Sequence, residues 1–352
     1  MEQSRQLNDE VGVAVIGAGY WGPNLIRNFL TCPDTWLRAV CDLDLDRAQS
    51  VVGRYSSLRT TDDVRSILDD PEIEAVAIAT PVGTHYDLAM ACIAAGKHVL
   101  MEKPLASTST QAEAMIAAAD DAGVVLMCDH TFCYTAAVRR IREEIHAGTL
   151  GDVQYIDSVR INLGLVQSDA DVFWDLLPHD LSILDSILPG GCQPDAVSAL
   201  GTDPIGAGHL CVGYVTMMLP NNAIAHIHVS WLSPVKIRSF VVGGSKQHLV
   251  WDDTNPAQKI SVYERGVDIE HLPTDEDRRN KMVQYRIGDM HAPALDDREA
   301  LQSVATEFAR AIREQRQPMT DGRAGLRILR VLEAAHRSLE LQGQLVDVER
   351  TK

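Results

Sequence analysis

Positive charge is scarce in this chain of 352 residues: 32 Lys and Arg stand against 49 Asp and Glu, a formal net charge of -17. Nucleic acid and anionic membrane surfaces are therefore poor partners, because phosphate binding draws on a basic surface and on released counterions. Long apolar runs are missing too. No stretch approaches the roughly eighteen residues a membrane helix needs, and the polar Met1–Glu10 lacks the apolar run of a signal peptide. Nor is there a disulfide framework. The seven cysteines (Cys32, Cys41, Cys92, Cys128, Cys133, Cys192 and Cys211) include no Cys-x-x-Cys pair and are odd in number. They are expected to be small apolar core residues in a cytoplasmic protein. What is present is an ordinary globular balance, 45% hydrophobic and 23% charged, at a length that suits two domains better than one.

From Val11 to Met127 short apolar runs alternate with helical stretches. Val11–Ile16, Leu37–Cys41, Ala75–Ala79, His98–Met101 and Val124–Met127 have the composition of buried parallel strands. Asp87–Ala95 and Thr108–Ala122 read as helices between them, the second with a hydroxyl cap and a following glycine. After about Cys128 the rhythm changes. A basic helix (Ala136–His146), a strand near Val153–Ile161 and a helix from about Asp175 to Leu188 lead into Leu210–Leu219, Ala223–Trp231, Ile237–Val242 and His248–Trp251. Strands without crossover helices imply an antiparallel sheet, with Pro220-Asn221-Asn222 as a hairpin turn. Two helices, about Asp297–Gln315 and Gly322–Leu341, close the chain, and the charged Leu272–Asp289 is expected to be a surface loop. The fold class is α/β. A Rossmann dinucleotide-binding domain (10–128) precedes a substrate-binding and oligomerisation domain (129–352) built on a large, mostly antiparallel open sheet.

Gly17-Ala18-Gly19-Tyr20-Trp21-Gly22 is a G-x-G-x-x-G directly between an apolar strand and a helix, the context that gives the motif meaning. Gly17 makes the tight turn, Gly19 lets amides approach a pyrophosphate, and Gly22 allows the helix to pack closely on the strand. The helix N-terminus then faces the phosphates. Asp42, at the end of the second strand, suits the ribose hydroxyls and repels a 2′-phosphate, which favours NAD over NADP. Asp44 and Asp46 suit capping of the next helix. Glu102-Lys103-Pro104 directly follows the strand His98–Met101. Ligands of open α/β sheets bind beyond the carboxyl ends of the strands, which sends Lys103 toward the nicotinamide end.

Gly17–Gly22, the run Ala79-Thr80-Pro81-Val82-Gly83-Thr84-His85, Ala95–Val99, Glu102-Lys103-Pro104 and Trp174-Asp175-Leu176-Leu177-Pro178-His179-Asp180 together resemble the Gfo/Idh/MocA oxidoreductases. The resemblance implies that Thr80, Pro81, His85, Glu102 and Lys103 join Gly17, Gly19, Tyr20, Trp21, Gly22 and Asp42 around the cofactor. It implies Lys103, Asp175 and His179 as the catalytic set. The chemistry agrees: a histidine can take an alcohol proton near neutrality, a lysine can stabilise the alkoxide, and an aspartate can orient the imidazole. If Asp175 is the N-cap of its helix, Pro178 falls harmlessly in the first turn. The competing view makes Asp175 only a cap and His179 only a packed residue.

The expected substrate is a small polyol: a sugar, nucleotide sugar or cyclitol. His130, Arg160, Asn162 and Lys236 (with Arg238) are the candidate contacts, although basic residues on strands are often solvated edge groups. His226 and His228 alternate on one strand face, and with no third ligand at matching spacing no metal site is expected. Apolar residues on both alternations of the sheet, including Met217, Met218, Ile227 and Trp231, predict a homodimer or homotetramer. A nucleotide-binding regulator without turnover and an NAD-assisted glycoside hydrolase are the alternatives.

Overall fold

The computed structural model describes residues 10–53, 58–164, 166–167, 170–270 and 282–350. The segment Met1–Glu10 therefore lies outside the described residues except for Glu10, and so does most of Leu272–Asp289. In chain order the elements are β1 (Val11–Ile16), α1 (Gly22–Thr31), β2 (Thr35–Cys41), α2 (Leu45–Val52), β3 (Arg59–Thr61), α3 (Arg65–Leu68), β4 (Ala75–Ile78), α4 (His85–Ala94), β5 (His98–Glu102), α5 (Ser109–Ala122) and β6 (Leu126–Asp129). There follow α6 (Ala136–His146), β7 (Val153–Leu163), α7 (Val172–Ile187), β8 (Ala196–Thr202), β9 (Val212–Met218), β10 (Ile224–Ser230), β11 (Leu232–Gly244), β12 (His248–Asp252), β13 (Ile260–Tyr263), β14 (Gly266–Glu270), β15 (Met282–Arg286) and β16 (Met290–His291). Helices α8 (Ala300–Arg313) and α9 (Gly322–Glu340) and strand β17 (Val346–Asp347) complete the chain.

Two compact units result, residues 1–136 with 297–333 and residues 137–296 with 334–352. In the first, six parallel strands run in the order β3-β2-β1-β4-β5-β6. The order reverses at β1, the switch point beyond which ligands of such sheets bind. Strands β1 and β4 are buried throughout, as the apolar runs require. Thr108 caps α5 by accepting the Gln111 amide, and Gly123 ends it in the left-handed conformation at φ 66°.

Helix α8 departs from the expected division at 128/129. Leu301, Val304, Ala305, Phe308 and Ile312 lie in the same buried core as Val13, Leu25 and Phe29. Two Arg–carboxylate pairs flank it, Arg27 to Glu299 at 2.6 Å and Arg313 to Glu74 at 2.6 Å. The apolar stripe of α8 shows that it needs a partner, and the tertiary contacts show that the partner is the parallel-sheet unit.

The second unit carries a nine-stranded sheet ordered β16-β13-β12-β11-β7-β10-β9-β8-β17 and a separate hairpin, β14-β15. Its pairings are antiparallel except for β7 with β10. Asn221 and Asn222, both near φ 61°, turn β9 back into β10. Alternation sorts the two faces. Val215, Met217, Ala225, Ile227 and Val229 are buried, whereas Tyr214, Met218 and Ile224 are exposed. Strand β15 falls inside the segment expected to be a loop.

Candidate functional site

The glycine-rich turn is built as the motif demands. Gly17 sits at φ 100°, its amide donates to the Cys41 carbonyl at 2.8 Å, and a Cβ there would lie 2.5 Å from the Ala79 oxygen. A Cβ on Gly22 would come within 2.1 Å of the Gly17 oxygen. Gly19 is different: a Cβ there meets nothing within 4 Å. Internal packing does not require that glycine, so the open space beside its backbone is what it preserves, a cradle for an approaching ligand. Helix α1 begins immediately after, without a capping side chain or an acidic residue in its first turn, so its positive end suits a pyrophosphate.

Asp42 is tied to this turn. Its Oδ2 accepts the Ala18 amide at 2.7 Å, its Oδ1 accepts the Asp44 amide at 2.9 Å, and Arg47 lies 3.8 Å away. Asp44 caps α2 through the Arg47 amide, with Asp46 in the first turn. A cavity of about 950 Å³ is lined by Gly17, Gly19, Tyr20, Trp21, Asp42, Arg47, Thr80, Pro81, Glu102 and Lys103. Asp42 follows β2 and Glu102 ends β5, three strand spacings or roughly 14 Å apart. A dinucleotide laid across the switch point needs such a span, and the residues present fit one.

Two residues expected at the cofactor act behind it. Gly22 is buried under the turn. His85 is 1% exposed and does not line the cavity; its Nδ1 lies 2.9 Å from the Pro104 carbonyl and its Nε2 2.9 Å from the Thr80 carbonyl. Burial holds this imidazole below its ordinary pKa. His85 thus braces the loops that follow β4 and β5, and with them Lys103.

His130, just past β6, is buried and neither ring nitrogen has a hydrogen-bond partner among the described residues. Burial, then the charge of Lys103, pushes its pKa down to about 3. Buried unpaired nitrogens are costly. Beside it lies a feature the sequence did not disclose: Asp129 is paired with Glu102 in the register of β6 against β5, and their side chains hydrogen-bond.

In the second unit, α7 begins a turn earlier than expected. Asp171 is its N-cap, accepting the Phe173 and Trp174 amides at 2.9 and 3.1 Å. This corrects the assignment of Asp175 as cap and puts Pro178 inside the helix, where it cannot supply the amide that the Trp174 carbonyl would otherwise receive. Asp175 and His179, four apart, share one face of α7. The Asp175 Oδ2 accepts the indole N–H of buried Trp231 at 3.1 Å. Gly164, just past β7, lies between this indole and Asn162: a Cβ there would be 3.2 Å from Trp231 and 3.3 Å from Asn162.

Arg160 is not a surface contact. It is 5% exposed and makes a two-pronged pair with Asp180 at 2.7 and 3.1 Å, while Ser158 donates to the same carboxylate at 2.8 Å. Its role is to fix α7 on the sheet. Lys236 is exposed, in a part of β11 that leaves the ladder with β7, and Arg238 pairs with Asp253 at 3.4 Å. His226 bonds to Thr216 at 2.9 Å, and Tyr214 stacks on His226 and His228. All seven cysteines are buried free thiols. No helix of the described residues is long and apolar enough to cross a membrane.

Comparison with known proteins identifies the family. The model of the Gfo/Idh/MocA oxidoreductase family, NAD-binding Rossmann fold, matches residues 11–130, and the model of the Gfo/Idh/MocA C-terminal domain matches residues 138–250. UDP-N-acetylglucosamine 3-dehydrogenase of Acidithiobacillus ferrooxidans is 28% identical over 90% of this chain and 93% of its own length. A solved structure of that enzyme has a TM-score of 0.80 at 25% identity, covering 95% of this chain and 99% of the other. The scyllo-inositol 2-dehydrogenase (NADP(+)) of Bacillus subtilis is 32% identical over 43% of this chain, and the match spans only 42% of that relative. Levoglucosan dehydrogenase, solved with NADH, shares the fold at a TM-score of 0.81 and 20% identity, over 97% of this chain and 100% of that one. The chain belongs to the Gfo/Idh/MocA family of NAD(P)-dependent oxidoreductases.

Proposed function

We propose that the protein is an NAD-dependent dehydrogenase or reductase acting at a secondary alcohol or ketone of a sugar, nucleotide sugar or cyclitol. The observation that carries this reading is the cavity running from Asp42 to Lys103 past an open Gly19. The nicotinamide supplies the hydride acceptor or donor. Lys103 is assigned to stabilise the alkoxide. His179 is assigned to take or return the hydroxyl proton, with Asp175, held by Trp231, orienting it. His130 and Asn162 are the substrate contacts we favour from the candidates; Arg160 is spent on Asp180, and Lys236 is solvent-exposed. The relatives act on compounds of this class, as their names state.

The Asp42 carboxylate sets the preference for NAD. Asp42→Asn retains an oxygen for the Ala18 amide but removes the charge that repels a 2′-phosphate, while Arg47 keeps its 3.2 Å pair with Asp44. NAD binding should weaken about tenfold, the loss of a hydrogen bond to a charged group, and NADP should approach parity. Titrating both nucleotides into wild type and variant checks this; a wild type that prefers NADP contradicts it.

We further propose a cytoplasmic homodimer or homotetramer assembled through the open sheet face, where Tyr214, Met218 and Ile224 stand exposed. Light scattering should report a multiple of the 38.6 kDa chain mass at micromolar concentration. A monomer mass removes the proposal.

A further inference from the structure

Glu102 and Asp129 are adjacent carboxyl groups at the ends of neighbouring strands, Asp129 buried and Glu102 half-buried in the cavity wall, so two negative charges would be costly together. Their mutual hydrogen bond requires a proton. The surrounding donors decide who holds it. Asp129 accepts the Thr131 hydroxyl at 2.8 Å and the Trp21 indole N–H at 3.4 Å, and also the bond from Glu102. Of the hydrogen bonds seen among the described residues, Glu102 accepts the Lys103 amide, at 2.8 Å on Oε2. Asp129 is therefore the carboxylate and Glu102 the acid that donates to it. Burial, then the Asp129 charge, raises the Glu102 pKa well above the usual carboxylate range.

The other titratable groups packed around the pair are Lys103 from the end of β5, Cys128 and His130 from β6 and its exit, and Cys133 from the following turn. Burial keeps the Cys128 thiol and the His130 imidazole neutral. One negative charge thus stands against the Lys103 ammonium, at the lysine end of the cavity that Glu102 itself lines.

We propose that Glu102 and Asp129 form a one-proton carboxyl pair whose single negative charge favours the oxidised, positively charged nicotinamide over the reduced, neutral one. The pair adds one negative charge to the field that Lys103 and its other contacts set around the oxidised ring. With it, Lys103 serves the alkoxide while the local field still accepts the oxidised cofactor. The inference rests on the NAD reading given above.

The test compares NAD+ and NADH affinities by titration in wild type, Glu102→Gln and the double variant Glu102→Gln/Asp129→Asn, with infrared spectra of the nucleotide-free proteins. A Gln amide can donate to Asp129 as the acid does, so Glu102→Gln should keep the NAD+/NADH affinity ratio within about threefold. The double variant, which loses the charge, should lower that ratio about tenfold, the equivalent of one pKa unit of charge coupling. Wild type at neutral pH should show the carbonyl stretch of a protonated carboxylic acid, lost in Glu102→Gln. The proposal is overturned by an unchanged ratio in the double variant, by a single variant as impaired as the double, or by absence of the acid band. The infrared readout decides the shared proton even if the double variant does not fold. A wild type that binds neither nucleotide sinks the NAD reading instead, and leaves the acid band to report on the pair.

Discussion

His179→Ala is expected to lower turnover by about two to four powers of ten, the usual worth of general acid–base assistance, with NAD affinity almost unchanged. The two effects separate because the side chain belongs to α7 of the second unit, whereas the cofactor cavity is lined by residues 16–103 of the first. His179 is half-buried on a helix fixed by the Asp171 cap and by the buried Arg160–Asp180 pair, so removing the imidazole should leave the helix in place. Asp175→Asn tests the orienting role separately. Asp171, not Asp175, caps the helix, so this variant should reduce turnover without a loss of thermal stability from the helix start. Near-normal turnover in His179→Ala would make the histidine structural and send the search for the base to Lys103 and His130.

Gly19→Val should abolish tight nucleotide binding while sparing the fold. The backbone there is not left-handed and a Cβ meets open space, so the apoprotein has room for the side chain. A ligand backbone drawn against the glycine has none. Losing one or two charge-assisted hydrogen bonds to the phosphates corresponds to roughly a tenfold to several-hundredfold rise in Kd. Gly22→Ala is the control with the opposite signature: its Cβ would lie 2.1 Å from the Gly17 oxygen, so stability should fall first. Nucleotide titration beside a thermal melt distinguishes them. If Gly19→Val binds NAD as wild type does, the pyrophosphate does not pass over this turn.

The parts of the molecule visible in the sequence were those with local causes. The strand–glycine–helix of β1 and α1, the caps at Asp44 and Thr108, and the hairpin at Asn221 follow from residues within a few positions of each other. Features that depend on distant partners were not visible. An amphipathic α8 announces a buried face but not that the face meets Leu25 and Phe29. Arg160 looked like a strand cation available to a ligand because Asp180 comes from a helix twenty residues on. His85 looked like a cofactor contact because its two carbonyl partners lie in separate loops. Short or polar strands such as β3 and β17 carry too little pattern to register. The carboxyl pair had a faint signal, an acid just past each of two apolar runs, but only the register of β5 with β6 makes Glu102 and Asp129 meet. At α7 two aspartates four apart could each cap, and the earlier one did so by capturing two amides.

The central claim is hydride transfer between a nicotinamide and a polyol carbon. It is tested most directly by mixing the purified protein with NAD and a panel of sugars, nucleotide sugars and cyclitols, and following the absorbance of reduced nicotinamide. The account predicts that at least one member of the panel reduces NAD in proportion to turnover, and that the signal collapses in His179→Ala and Lys103→Ala. Release of a free sugar with no net change in nicotinamide absorbance would contradict it in favour of hydrolysis. Tight NAD binding with no turnover on any member would contradict it in favour of a sensor.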